Sequence, residues 1–132
     1  MKLVIVGQNP ANKMEPGAEP FDRVSSYKRL ADWLVYLTDG NTNQILLYNA
    51  SDKPGKVGMK DLNAASLYQV NAAASVGYKV IALGNYASKA LDKMDILHFK
   101  MHHPSGRCRL NNDKEYVDKK LKECYSWIRT KE

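Results

Sequence analysis

Four short apolar runs, the first three without polar alternation, constrain the fold of this chain more than any other feature. Leu3 to Val6 ends at Gly7, Ile45 to Tyr48 ends at Asn49, and Val80 to Leu83 ends at Gly84; a weaker run spans Ile96 to Met101. A strand with one wet face alternates apolar and polar residues, so an unbroken apolar run reads as a strand covered on both faces. Helical patterns separate the runs. Val24, Tyr27, Leu30, Ala31 and Leu34 share one face, with a stop predicted at Asp39-Gly40. Leu62, Ala65, Ala72 and Val76 form a second stripe, closed by Gly77 in the left-handed position that follows a helix. A short helix is expected after Asn85. The last helix aligns Val117, Leu121, Cys124, Tyr125 and Ile128, and Asn112 with Glu115 has the spacing of a capping box.

Strands that alternate with helices predict an α/β fold. The expectation is a three-layer α/β/α arrangement around a four-stranded parallel sheet in the order 2-1-3-4. At 132 residues, a single domain over 1–132 is expected. Such sheets bind ligands beyond the carboxyl ends of their strands, where the strand order switches. The segments in that position here are GQNP, NASDKPGK, GNYAS and HHPSGR. Chemistry is expected there.

Composition narrows the partners. Apolar content of 44% and charged content of 26% suit a soluble globular domain. No apolar run approaches the roughly 18 residues that a membrane span needs. The opening MKLVIVGQNP is too brief for a signal peptide and lacks a small-residue cleavage site, so a cytoplasmic or nucleoid location and no membrane contact are expected. A net charge of +6 suits a polyanion. Cys108 and Cys124 lack ligand-like spacing, so no metal site is expected and both thiols read as idle. GQNPANK does not have the G-x-x-x-x-G-K-S/T spacing of a P-loop, and no G-x-G-x-x-G follows a strand.

Two segments point further. GQNPA, Gly7 to Ala11, follows the first run, and HPSGR, His103 to Arg107, follows the fourth. Together they resemble the two signature motifs of the uracil-DNA glycosylase superfamily, in which G-x-D/N-P opens the site and H/N-P-S closes it. The resemblance covers most of the chain. In motif type it is closest to the asparagine-bearing mismatch-specific and single-strand-selective members. It implies a monomeric DNA glycosylase without cofactor or metal, acting on duplex or single-stranded DNA. Such an enzyme flips out uracil or a related modified pyrimidine, hydrolyses its N-glycosidic bond and leaves an abasic site.

The same resemblance assigns roles. Asn9 and His103 are the implied catalytic residues. Asn9 orients the hydrolytic water; being neutral, it cannot stabilise a cationic sugar as aspartate would, so chemistry leans on a base that carries its own departing charge. His103 hydrogen-bonds the base carbonyl as that charge develops. Gln8, Phe21, Asn49 and Ala11 are the implied base contacts. Phe21 stacks on the extruded ring, and the Asn49 amide offers a donor and an acceptor side by side to a pyrimidine edge. Ala11 stands where uracil-selective members carry a tyrosine against the thymine methyl, which leaves the C5 side open. Gly84 and Asn85 replace a Gly-Ser turn that pinches the DNA backbone. Ser105, Lys53 and Lys56 approach phosphates, and Arg107 enters the space that the base vacates.

Each residue also has a plainer role. Asn9-Pro10 makes a turn, Phe21 fills a core, Asn49 caps a strand end, the lysines are solvated, and Arg107 touches phosphate alone. No lysine or terminal amine is placed as a nucleophile, so strand cleavage through a Schiff base is not expected. Two alternatives stay open: a binding module of the same fold without turnover, and an enzyme on free nucleosides or nucleotides.

Overall fold

The strands and helices follow the predicted alternation: β1 (Leu3–Gly7), α1 (Phe21–Leu37), β2 (Ile45–Asn49), α2 (Ala64–Ser75), β3 (Lys79–Leu83), α3 (Asn85–Lys93), β4 (Phe99–Met101) and α4 (Lys114–Ile128). Short 3-10 turns lie at Met59–Asp61 and Arg109–Asn112. The computed structural model describes residues 2–8, 21–53, 57–104 and 109–130, with side chains of α1 from Lys28 onward. All strand pairs are parallel and the order is β2-β1-β3-β4, as expected. The chain leaves β1 for β2 on one side, then returns to β3 on the other. That reversal puts the switch point between the carboxyl ends of β1 and β3.

Strand parity builds the two cores. Leu3 and Ile5 of β1 join Ile81 and Leu83 of β3 on the face that also buries Trp33, Leu34 and Leu37 of α1 and Cys124 and Ile128 of α4. Val4 and Val6 join Val80 and Ala82 on the opposite face, against Leu67, Val70 and Ala73 of α2 and Ala87, Ala90 and Leu91 of α3. Successive side chains of a strand point to opposite faces, so one apolar run serves both layers. Burying each valine or leucine stabilises by about 1.5–3 kcal/mol, which makes β1 and β3 the backbone of the fold.

Several expectations need correction. The inward face of α2 is Leu67, Val70 and Ala73, whereas Ala65 and Ala72 are exposed and Val76 is 65% exposed. AASLYQVNAAAS is rich in alanine on several faces, so its large side chains decide which face turns inward. The predicted stop holds, with Gly77 at φ +100. The cap of α4 is Asp113, whose Oδ1 accepts from the Tyr116 amide at 3.1 Å, while Asn112 belongs to the preceding turn. A carboxylate outcompetes an amide beside the positive end of a helix. The fourth run becomes a strand only at Phe99–Met101. Ile96 instead donates its amide to the Leu91 carbonyl at 3.0 Å and packs into the α2/α3 core. Finally, β2 is not covered on both faces: it is an edge strand, and Leu47 is 58% exposed.

Candidate active site

A cleft of about 800 Å³ opens at the carboxyl ends of the strands. Gln8 lines it after β1, Gly84 and Asn85 after β3, and His102 and His103 after β4. Val57 to Met59 close it from the loop that follows β2. The cleft then continues past β4, between Tyr86 and Lys89 of α3 and Tyr116 and Lys120 of α4.

Glycine at position 7 leaves room for the Asn49 side chain to lie across β1. A Cβ there would stand 2.9 Å from the Oδ1 of Asn49, its partner in register on β2. Pairing runs past the strand ends, with the Ala50 amide donating to the Gly7 carbonyl and the Ser51 amide to that of Gln8, both at 2.9 Å. Gln8 is therefore held by main-chain bonds at the mouth of the cleft. Asn49 is exposed, lies over Gly7 and does not line the cleft.

Gly84 is a requirement of conformation. Its φ of +89° and ψ of 175° suit glycine alone, and its amide donates to the Met101 carbonyl at 2.8 Å. The space beside it is taken by His103, whose Cβ would lie 3.6 Å from an added methyl. His103 is half-buried; burial first, and the adjacent His102 second, hold its imidazole below the usual range. It is neutral at physiological pH and offers one N–H donor.

His102 is built differently. It is 7% exposed and sits edge-on to Trp33, ring centroids 5.0 Å apart, with Tyr116 at 5.5 Å. Asn111 donates its amide to the His103 carbonyl at 3.0 Å, so its Oδ1 is left to accept from His102 Nε2 at 2.7 Å. That pairing fixes the tautomer: Nε2 carries the proton, and the buried Nδ1 is a bare acceptor with no partner among the described residues. Burial holds the His102 pKa below its usual value, against the opposing pull of Asn111. The next carbonyl, Pro104, accepts from Arg29 Nη1 of α1 at 2.7 Å. Two consecutive carbonyls after β4 are thus pinned by side chains, one from the turn that follows and one from α1.

The loop after β2 is fixed mostly from within. Asp61 accepts from the Gly58 amide at 2.9 Å and pairs with Lys53 Nζ at 3.0 Å. These contacts, the amide first, hold its carboxyl below the usual range. Tyr86 of α3 donates its hydroxyl to the Gly58 carbonyl at 2.8 Å and ties the loop to the cleft.

Of the residues singled out from the sequence, the cleft brings together Gln8, Gly84, Asn85 and His103, and leaves Asn49 and Lys53 outside its lining. Asn9, Ala11, Lys56, Ser105 and Arg107 lie outside the described residues, as does the side chain of Phe21. Sequence reasoning gave no role to Tyr86, although it lies in the GNYAS segment, and missed Asn111, Arg29, Tyr116, Lys89, Lys100 and Lys120, none of which belongs to a motif. Cys124 is buried and its thiol is pushed up to about 12, which makes it inert. Among the described residues no helix is long and apolar enough to cross a membrane.

No curated protein is similar enough to match the chain. The family model described as the uracil DNA glycosylase superfamily matches residues 1–128, nearly the whole length. Fold, strand order and match agree, and carry a uracil-DNA-glycosylase-like function in general terms: the chain belongs to the uracil DNA glycosylase superfamily.

Proposed function

We propose that the chain is a monofunctional DNA glycosylase that flips uracil or a related modified pyrimidine out of the stack and hydrolyses its N-glycosidic bond. The observation that carries this reading is the meeting of Gln8 and His103 in one cleft, since each belongs to a different motif at an opposite end of the chain. In the reaction, water adds to the sugar carbon, the C–N bond breaks and its electron pair leaves with the base; the proton that the water gives up passes to solvent, which returns one to the departed base. His103, neutral and half-buried, donates its N–H to the base oxygen on which charge develops. Asn9 positions the water. Gly84 and Asn85, at the start of α3, face the cleft where backbone phosphates approach, and helix N-termini favour anions. The protein acts as a monomer, without cofactor, wherever DNA lies in the cytoplasm or nucleus.

A panel of single-stranded and duplex oligonucleotides carrying uracil or 5-substituted pyrimidines, treated with alkali after incubation, tests the reading. Base release should appear as strand scission. His103→Ala should slow single turnover by about a hundredfold, the worth of one such donor. Asn9→Ala should lower the rate far more than DNA affinity, and Asn9→Asp should raise the rate by stabilising the cationic sugar. With Ala11 in place of tyrosine, 5-substituted bases should be accepted. No release by wild type or Asn9→Asp, with DNA still bound, replaces this reading with a binding module.

A further inference from the structure

The motif residues account for one end of the cleft and leave its other end unexplained. Past His103 the cleft wraps the carboxyl end of β4, which among the described residues is an edge strand of the sheet. Lys89 enters from α3 on one face of the sheet and Lys120 from α4 on the other, with Lys100 on β4 between them. Parity places Lys100 on the α2/α3 side, because it pairs in register with Ala82 of that core, whereas Phe99 packs on the α1/α4 side under the Lys120 ammonium at 5.3 Å.

No carboxylate appears among the described residues that line the cleft. Lys89 and Lys100 are exposed and have no ion-pair partner among the described residues, while Lys120 lies 3.7 Å from Glu123. Lys89 and Lys100, with no counter-charge among the described residues, favour a polyanion, which releases its own counterions on binding. Tyr86 and Tyr116 supply aromatic walls on the two sides. A peptide strand added to the β4 edge fits less well: β4 has only 3 residues, and a lysine on an edge strand opposes such pairing.

We propose that Lys89, Lys100 and Lys120 form a second, phosphate-binding limb of the cleft, which leads the backbone of the nucleic-acid strand away from the flipped base and around the free edge of β4. This rests on DNA as the substrate. It is tested apart from catalysis, with an undamaged fluorescein-labelled oligothymidylate and anisotropy titrations across salt concentrations. Wild type should bind with log affinity falling linearly against log salt. The Lys89→Gln/Lys100→Gln variant should bind more weakly, its slope shallower by about 1.4, since each lost contact with a single strand removes about 0.7. A matched variant, Lys119→Gln/Lys122→Gln, makes the same charge change on the outer side of α4 among Glu115, Asp118 and Glu123, and should keep the wild-type slope. An unchanged slope in the first variant overturns the limb. So does an equal loss in both variants, or a wild type without salt-dependent binding. Wild type that binds as described but releases no base keeps this limb and removes the glycosylase reading; lesion excision with an unchanged slope in Lys89→Gln/Lys100→Gln does the reverse.

Discussion

The two rims of the cleft differ in what ties them to the rest of the fold. After β4, the carbonyls of His103 and Pro104 are pinned by Asn111 and Arg29, which lie on a turn before α4 and on α1. After β2, Gly58 and Lys53 are gathered by Asp61 in the same loop, with Tyr86 of α3 a further tie to Gly58. The Arg29 bond of the first rim can form only when α1 is docked on the sheet, whereas Asn111 reaches back from the turn that follows. The second forms largely by itself. The rim that carries the histidine is therefore coupled through Arg29 to the docking of α1, and the rim that carries Lys53 mainly to local order.

The sharpest way to break this contrast is Asn111→Ala. It strips the partner from the buried Nε2–H of His102 and from the His103 carbonyl at once. A buried donor left unpartnered costs about 2 kcal/mol, which a urea titration should show as a lower midpoint with unchanged slope. Base release should fall in parallel, since His103 loses its backbone anchor; an unchanged midpoint would show that water replaces the amide and that the rim is not coupled. Arg29→Met comes next. It keeps the packing of the side-chain stem but loses the bond to Pro104, a hydrogen bond from a charged donor worth about 1.5 kcal/mol.

The contrast also separates what the sequence discloses from what it hides. The strands and the helices between them follow from runs and periodicity, because burial writes itself as apolar repetition, and the stop at Gly77 follows from glycine in the left-handed position. The inward face of α2 was misjudged for the same reason in reverse: alanines on every side carry little directional information, and Leu67 and Val70 overrode them. Gly7 and His103 were legible through their motifs. Asn111 was not, since a polar residue that bonds the main chain of a segment folded beside it leaves no local pattern. Lys89, Lys100 and Lys120 look like any solvated lysines until the fold gathers them around one strand.

Acidification bears on the β4 rim. Both histidines have folded pKa values lowered by burial from 6.5, so the unfolded chain takes up protons first. Their neutral, packed forms support the full stability above about pH 6.5, and that support is lost as pH falls toward and through the lowered folded values. Urea midpoints should decline on that acidic side, and His102→Gln should flatten the decline. An equally steep decline in His102→Gln would place the titrating group elsewhere.

The smallest effect is expected at the β2 rim. Asp61→Asn keeps an oxygen that can accept from the Gly58 amide but removes the charge that holds Lys53 at 3.0 Å. Because the loop is local and its ion pair exposed, the urea midpoint should barely move, as it does for most surface pairs. Amide exchange at Gly58 should quicken, since a neutral acceptor is weaker than a carboxylate. Affinity for oligothymidylate should rise slightly and its salt slope steepen by up to about 0.7, because Lys53 no longer has to leave Asp61 to meet a phosphate. Lys53→Gln alone should then change binding little in the wild-type background and more in Asp61→Asn. If Lys53→Gln weakens wild-type binding as strongly as Lys89→Gln/Lys100→Gln, Lys53 already exchanges its carboxylate for phosphate, and the β2 rim belongs to the DNA contact as fully as the β4 rim does.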